Sequence, residues 1–85
     1  MDFDMTYVIE FKPQALKDMK ALPSAVKRRI MVKIEALKED LAGDVEKLTN
    51  HTPEYRLRVG DYRVLFELDG VKIIIYRVRH RKDAY

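Results

Sequence analysis

Cysteine is absent from the 85 residues, which excludes disulfides, thiolate metal sites and a cysteine nucleophile together. A reducing, cytoplasmic setting is the expectation. Long apolar runs are missing as well. No stretch approaches the ~18 apolar residues of a transmembrane helix, and Met1-Asp2-Phe3-Asp4 opens the chain without the apolar segment of a leader. No membrane association is expected. The sequence also has no Walker-type glycine loop, no metal-spaced histidine set and no nucleophile elbow. It has no internal repeat and no low-complexity segment. Residues 1–85 make one domain, because a chain of this length has no material for a second core. Such a chain buries only about 60–65% of its unfolded surface, so a bound partner would add substantially to its stability.

What is present is arginine, and it is unevenly placed. Residues 1–53 carry nine Lys/Arg and nine Asp/Glu, while residues 54–85 carry eight against five, so the net charge of +3 arises wholly in the second segment. Arg28 and Arg29 are the only arginines of the first segment, whereas Arg56, Arg58, Arg63, Arg77, Arg79 and Arg81 crowd the second. The guanidinium is a planar fork of donors that suits phosphate and keeps its charge at every relevant pH. The distribution therefore predicts an anionic, phosphate-bearing partner.

The hydrophobic pattern predicts an α+β domain of order β-α-α-β-β-β. Met5 to Phe11 is apolar, aromatic and β-branched, as in a strand, and Lys12-Pro13 closes it. Pro13 suits a first helical turn, and Ala15, Leu16 and Met19 follow at helical spacing until Leu22-Pro23. Ser24 is placed to cap a second helix along which Val26, Ile30, Ile34, Leu37 and Leu41 recur, with Ala42-Gly43 at its end. Asp44 to Pro53 is expected to be a loop anchored by Val45 and Leu48. Tyr55 to Val59 then alternates strictly, Gly60-Asp61 turns, Tyr62 to Leu68 returns, Asp69-Gly70 turns again, and Val71 to Val78 is nearly apolar. Three antiparallel strands with the helix pair on one face leave the other face open. Alternation puts Tyr55, Leu57 and Val59 on the helix side and Arg56 and Arg58 on the open one.

The run Glu54-Tyr55-Arg56-Leu57-Arg58-Val59-Gly60-Asp61-Tyr62-Arg63-Val64-Leu65-Phe66-Glu67, with Val78-Arg79-His80-Arg81-Lys82-Asp83-Ala84-Tyr85 behind it, resembles the RelE family of the RelE/ParE toxin superfamily. Lys47-Leu48, the helical hairpin and the first strand agree with it. The resemblance implies a type II toxin that acts as a ribosome-dependent endoribonuclease on mRNA, with a RelB-like antitoxin as partner. It implies attack by the RNA's own 2′-hydroxyl on the adjacent phosphate, a route that needs neither metal nor cofactor. On this resemblance Arg63 contacts the scissile phosphate and Arg81 is the second arginine. Arg56 and Arg58 stand where relatives carry basic residues, often lysine. Arginine does not release its proton, so these two act as electrostatic clamps, and proton transfer falls to Tyr85, His80 or a carboxylate such as Glu67.

Blander roles compete with these. A strand arginine is often solvated or paired across the sheet with Glu67 or Glu54. His51 in its polar loop is expected to be inert, and Lys27, Arg28 and Arg29 to form a solvated face. Leu16, Met19, Val26 and Met31 are candidates for an antitoxin groove, with core packing as the alternative. Two other functions fit the same basic face: a ParE-like inhibitor of DNA gyrase, and a non-catalytic RNA-binding module that blocks translation.

Overall fold

A computed structural model describes residues 6–83. Among them the chain forms β1 (Val8–Phe11), α1 (Pro13–Lys20), α2 (Ser24–Ala36), β2 (Val45–Lys47), β3 (Tyr55–Val59), β4 (Tyr62–Asp69), β5 (Lys72–His80) and a closing 3₁₀ turn over Arg81–Asp83. The α+β class and the predicted element order hold, with one strand added. The sheet has five strands in the order β1-β5-β4-β3-β2. It is mixed rather than a pure antiparallel meander, because β1 lies parallel to β5 along one edge.

The core is built as the periodicity requires. Ala15 and Met19 of α1, with Ile30 and Ile34 of α2, pack on Leu57, Val59, Val64, Phe66, Ile73, Ile75 and Val78 of the sheet. Among the described residues thirteen hydrophobic side chains are buried, Leu37 among them. Burial of apolar surface is worth about 25 cal/mol per Å², so this layer carries most of the stability. Tyr55 and Phe66, opposite each other on β3 and β4, stack with ring centroids 5.3 Å apart.

Four expectations are corrected. The second helix stops at Ala36, not near Leu41. Asp40 and Leu41 take φ values of 60° and 58°, a left-handed backbone that no α-helix continues through. The incoming chain competes for this segment: the Tyr7 amide donates to the Lys38 carbonyl, and Thr6 bridges Glu39. Leu37, the C-cap of the helix, keeps its place in the core. Second, Ser24 is the first helical residue rather than the cap, a position held by Pro23. Third, the first strand is shorter than Met5 to Phe11: it starts at Val8, and Met5 lies outside the described residues.

The fourth correction positions the site. Part of the expected loop is the edge strand β2, paired antiparallel with β3 through Val45↔Leu57, Glu46↔Arg56 and Lys47↔Tyr55. Two of its three residues are charged, which suits an exposed edge and hides the strand from a hydrophobicity pattern.

Candidate functional site

The hairpin registers put three arginines in one line across the open face. Arg58 of β3 lies opposite Arg63 of β4, which lies opposite Arg79 of β5. Directly opposite residues share a face of the sheet. The next row on that face is Arg56, Leu65 and Arg77. Leu65 is only 6% exposed there, as expected beneath long arginine stems.

Arg63 is the centre of this arrangement. It is 8% exposed, and its Nη1 donates to the carbonyls of Gly60 and Tyr62, both at 2.9 Å. Its Nε is buried without a hydrogen-bond partner. Among the described residues Arg63 makes no ion pair with a carboxylate. Burial, followed by the like charges of Arg58, Arg56 and Arg81, lowers its proton affinity from the ordinary arginine value. It remains a cation at neutral pH, because a guanidinium is not deprotonated in proteins. The result is a fixed positive charge held by backbone without an ion pair, the nearby charge of Asp61 offsetting only part of the repulsion. It borders a cavity of about 110 Å³ lined by Asp44, Glu46, Arg56, Arg58 and Arg63, roomy enough for several waters or a phosphate group.

The turn before β4 supports that position. Gly60 has φ +57°, and a Cβ there would come within 2.9 Å of Arg29 Nη2. Its carbonyl is one of the two that hold Arg63. The flexible end of Arg29 can yield, but the left-handed backbone cannot, so Gly60→Ala is expected to cost about 1–2 kcal/mol. Thermal melting should show this as a fall of roughly 4–8 °C for each kcal/mol. An unchanged melting temperature would mean that the turn relaxes into another geometry.

The other candidates are distributed as follows. Arg58 Nε donates to Asp44 Oδ2 at 2.8 Å, and Arg56 Nη2 donates to Glu46 Oε1. Arg81 follows β5 in the 3₁₀ turn; its amide donates to the Asp61 carbonyl at 2.7 Å, and its Nε lies 3.9 Å from Asp61 Oδ1. Its charge reaches Arg63, but its side chain is not part of the cavity wall. His80 is not brought to this face. It pairs with Tyr62, which pairs with the buried Val59, so it belongs to the helix side of the sheet. There its ring meets Tyr62 edge-on at 5.3 Å, and Nδ1 accepts from the Lys82 amide. Glu67 is committed elsewhere, accepting the Glu54 amide at 2.8 Å. Tyr85 lies outside the described residues.

Three residues of this face escaped the sequence reading. Arg79 stands directly across from Arg63, half-buried, its side chain making no hydrogen bond or ion pair among the described residues. The alternation of Arg77, Val78 and Arg79 contained its signal, since it repeats the pattern of Arg56, Leu57 and Arg58. Asp44 and Glu46 were hidden because β2 was read as loop.

Residues 9–85 match the family model described as ParE toxin of type II toxin-antitoxin system, parDE. Toxin RelE3 of Methanocaldococcus jannaschii is 38% identical over 80 residues, covering 88% of this chain and 91% of that protein. Putative toxin RelE1 of the same organism is 31% identical, covering 95% and 97%. Among solved structures, the RelB-RelE antitoxin-toxin complex from Methanococcus jannaschii contains a chain 35% identical, with a TM-score of 0.74 and coverage of 89% and 94%. The archaeal RelE-RelB complex from Pyrococcus horikoshii OT3 gives 31% identity, a TM-score of 0.76 and coverage of 93% and 99%. The chain belongs to the RelE/ParE family of type II toxin–antitoxin toxins, as a RelE-type toxin.

Proposed function

We propose that this toxin is a metal-independent endoribonuclease that cleaves mRNA on the ribosome. The observation that carries this reading is Arg63: a buried cation without a carboxylate partner, anchored by two backbone carbonyls at the wall of an arginine-lined cavity. Desolvation and like-charged neighbours make it costly in the free protein, and a phosphate would relieve that cost.

In the proposed reaction the 2′-oxygen of the messenger forms a bond to the adjacent phosphorus while the bond to the 5′-oxygen of the next nucleotide breaks. A 2′,3′-cyclic phosphate and a free 5′-hydroxyl result. The 2′-hydroxyl proton goes to a base, and the leaving oxygen receives one from an acid. Arg63 faces the non-bridging oxygens where negative charge builds up, with Arg58, Arg56 and Arg79 on the same face and Arg81 adding its field. None of these guanidiniums takes part in proton transfer. Tyr85 keeps its place as a proton-transfer candidate. The cavity-lining carboxylates Asp44 and Glu46 join it, while His80 loses ground by its position behind the sheet.

The expected partners are the ribosome with its messenger and a RelB-like antitoxin, the latter by analogy with the RelB-RelE complexes of its relatives. Leu16 is exposed and Val26 and Met31 are half-buried, whereas Met19 is in the core, so an antitoxin groove would use the first three. No helix among the described residues is long and apolar enough to cross a membrane.

The test is to incubate the purified toxin with programmed ribosomes and map messenger ends. Cleavage with 2′,3′-cyclic termini, insensitive to chelators, is expected. Intact messenger together with stalled gyrase would favour the ParE-like reading, and arrested translation without new ends would favour a non-catalytic blocker.

A further inference from the structure

The arginine face carries its own anions. Glu46 lies directly opposite Arg56 in the β2–β3 register, and Asp44, one step before β2, pairs with Arg58. The Arg58 amide donates to the Asp44 carbonyl at 2.9 Å, which fixes the backbone from which that carboxylate projects. Both carboxylates, together with the arginines they bind, line the cavity beside Arg63. The cavity wall thus has three cations and two resident anions.

A carboxylate and a phosphate compete for the same donors, since both accept the guanidinium fork through charge-assisted bonds. We infer that Asp44 and Glu46 act as built-in competitors that occupy Arg58 and Arg56 in the free toxin and are displaced when an RNA backbone enters the cavity. This inference rests on the RNA-directed reading above and concerns how that same face is regulated. Arg63, without a carboxylate, is the open contact point, and the two flanking arginines present their full set of donors only when their ion pairs open. Two ion pairs that stand open together about one-tenth of the time lower apparent affinity about tenfold, because only the open fraction binds. Loose RNA in solution is then gripped weakly. RNA held in place by a second macromolecule meets the opened arginines at a far higher effective concentration and overcomes the competition.

The test compares binding to a fluorescein-labelled 2′-O-methyl RNA oligonucleotide, which keeps the phosphates but has no attacking hydroxyl. Fluorescence anisotropy would be measured for the unaltered toxin, for Asp44→Asn with Glu46→Gln, and for a charge-matched control, Glu10→Gln with Glu35→Gln. The control removes two carboxylates that also sit in exposed ion pairs, with Lys72 and Lys38, away from the cavity. Exposed pairs of this kind add little to stability, and circular dichroism melting checks that all three proteins remain folded. The site variant is expected to bind about tenfold more tightly, and the control to gain much less because screening weakens distant charges. Equal gains in both variants would reduce the effect to net charge and overturn the inference. Unchanged or weaker binding in the site variant would also overturn it, showing that the carboxylates hold the arginines in their binding geometry. Cleavage on programmed ribosomes is a separate measurement, so failure of the nuclease reading and failure of this one are told apart.

Discussion

Replacing Arg63 with methionine is expected to lower messenger cleavage by about 10²–10³-fold, the loss typical when one preorganised donor to a developing oxyanion is removed. The same change should leave the fold intact or strengthen it. Arg63 is buried, its Nε has no partner, and Arg58, Arg56 and Arg81 all repel it. An apolar side chain of similar length removes that repulsion and the desolvation cost, and buried charges exchanged in this way are often neutral or stabilising by on the order of 1 kcal/mol or more. Methionine gives up the two bonds to Gly60 and Tyr62, yet these carbonyls adjoin an exposed turn where water can replace the donor. Opposite movements of activity and stability mark a residue retained for function. Cleavage assays and thermal melting on one preparation provide the check. A variant that melts earlier while cleaving normally would make Arg63 a scaffold residue.

Asp18→Ala should produce the larger change in stability, about 2 kcal/mol, or a fall in Tm of roughly 8–16 °C. Asp18 of α1 accepts Arg77 Nε at 2.8 Å, Arg77 Nη2 at 3.2 Å and the Val78 amide at 2.9 Å. One half-buried carboxylate therefore ties the first helix to β5 and satisfies a strand amide that β1 does not reach. Its removal leaves that amide and the Arg77 guanidinium short of acceptors. The pH dependence follows from the same contacts. Burial pushes the Asp18 carboxyl up, but the bonds from Arg77, Val78 and Gln14 and the charge of Arg77 outweigh it and hold the group below its ordinary 3.8. The unfolded chain thus takes up a proton first as pH falls. This contribution is complete above the unfolded value and disappears as pH drops through the lower folded one. Denaturant unfolding of both proteins should show a wide gap at pH 7 that narrows as pH falls below the ordinary carboxyl value of 3.8. A gap that stays constant into strong acid would assign the stabilisation to packing instead of the charged carboxylate.

The two residues differ in how readily the sequence reveals them. Arg63 was legible through its motif and through alternation along β4, because a strand's period of two assigns faces without reference to any other element. Asp18 was not. Its partners Arg77 and Val78 lie 59 and 60 positions away, and nothing local distinguishes it from a solvated helix aspartate. The second helix was overextended for a related reason. Leu37 and Leu41 keep the helical interval, but the core takes up Leu37 while the chain turns left-handed at Asp40. Burial can be satisfied by several backbones, and the period alone does not choose among them.

By itself the sequence determined the α+β order, the side of β3 that bears Arg56 and Arg58, and the kind of partner those guanidiniums suit. All of these follow from nearest-neighbour geometry and side-chain chemistry. The tertiary structure alone decided that Arg79 stands across from Arg63, that His80 lies behind the sheet, and that Asp44 and Glu46 share a cavity with the arginines. Each of these depends on strand register and on which strand closes the edge, quantities fixed by long-range pairing that a one-dimensional pattern does not encode.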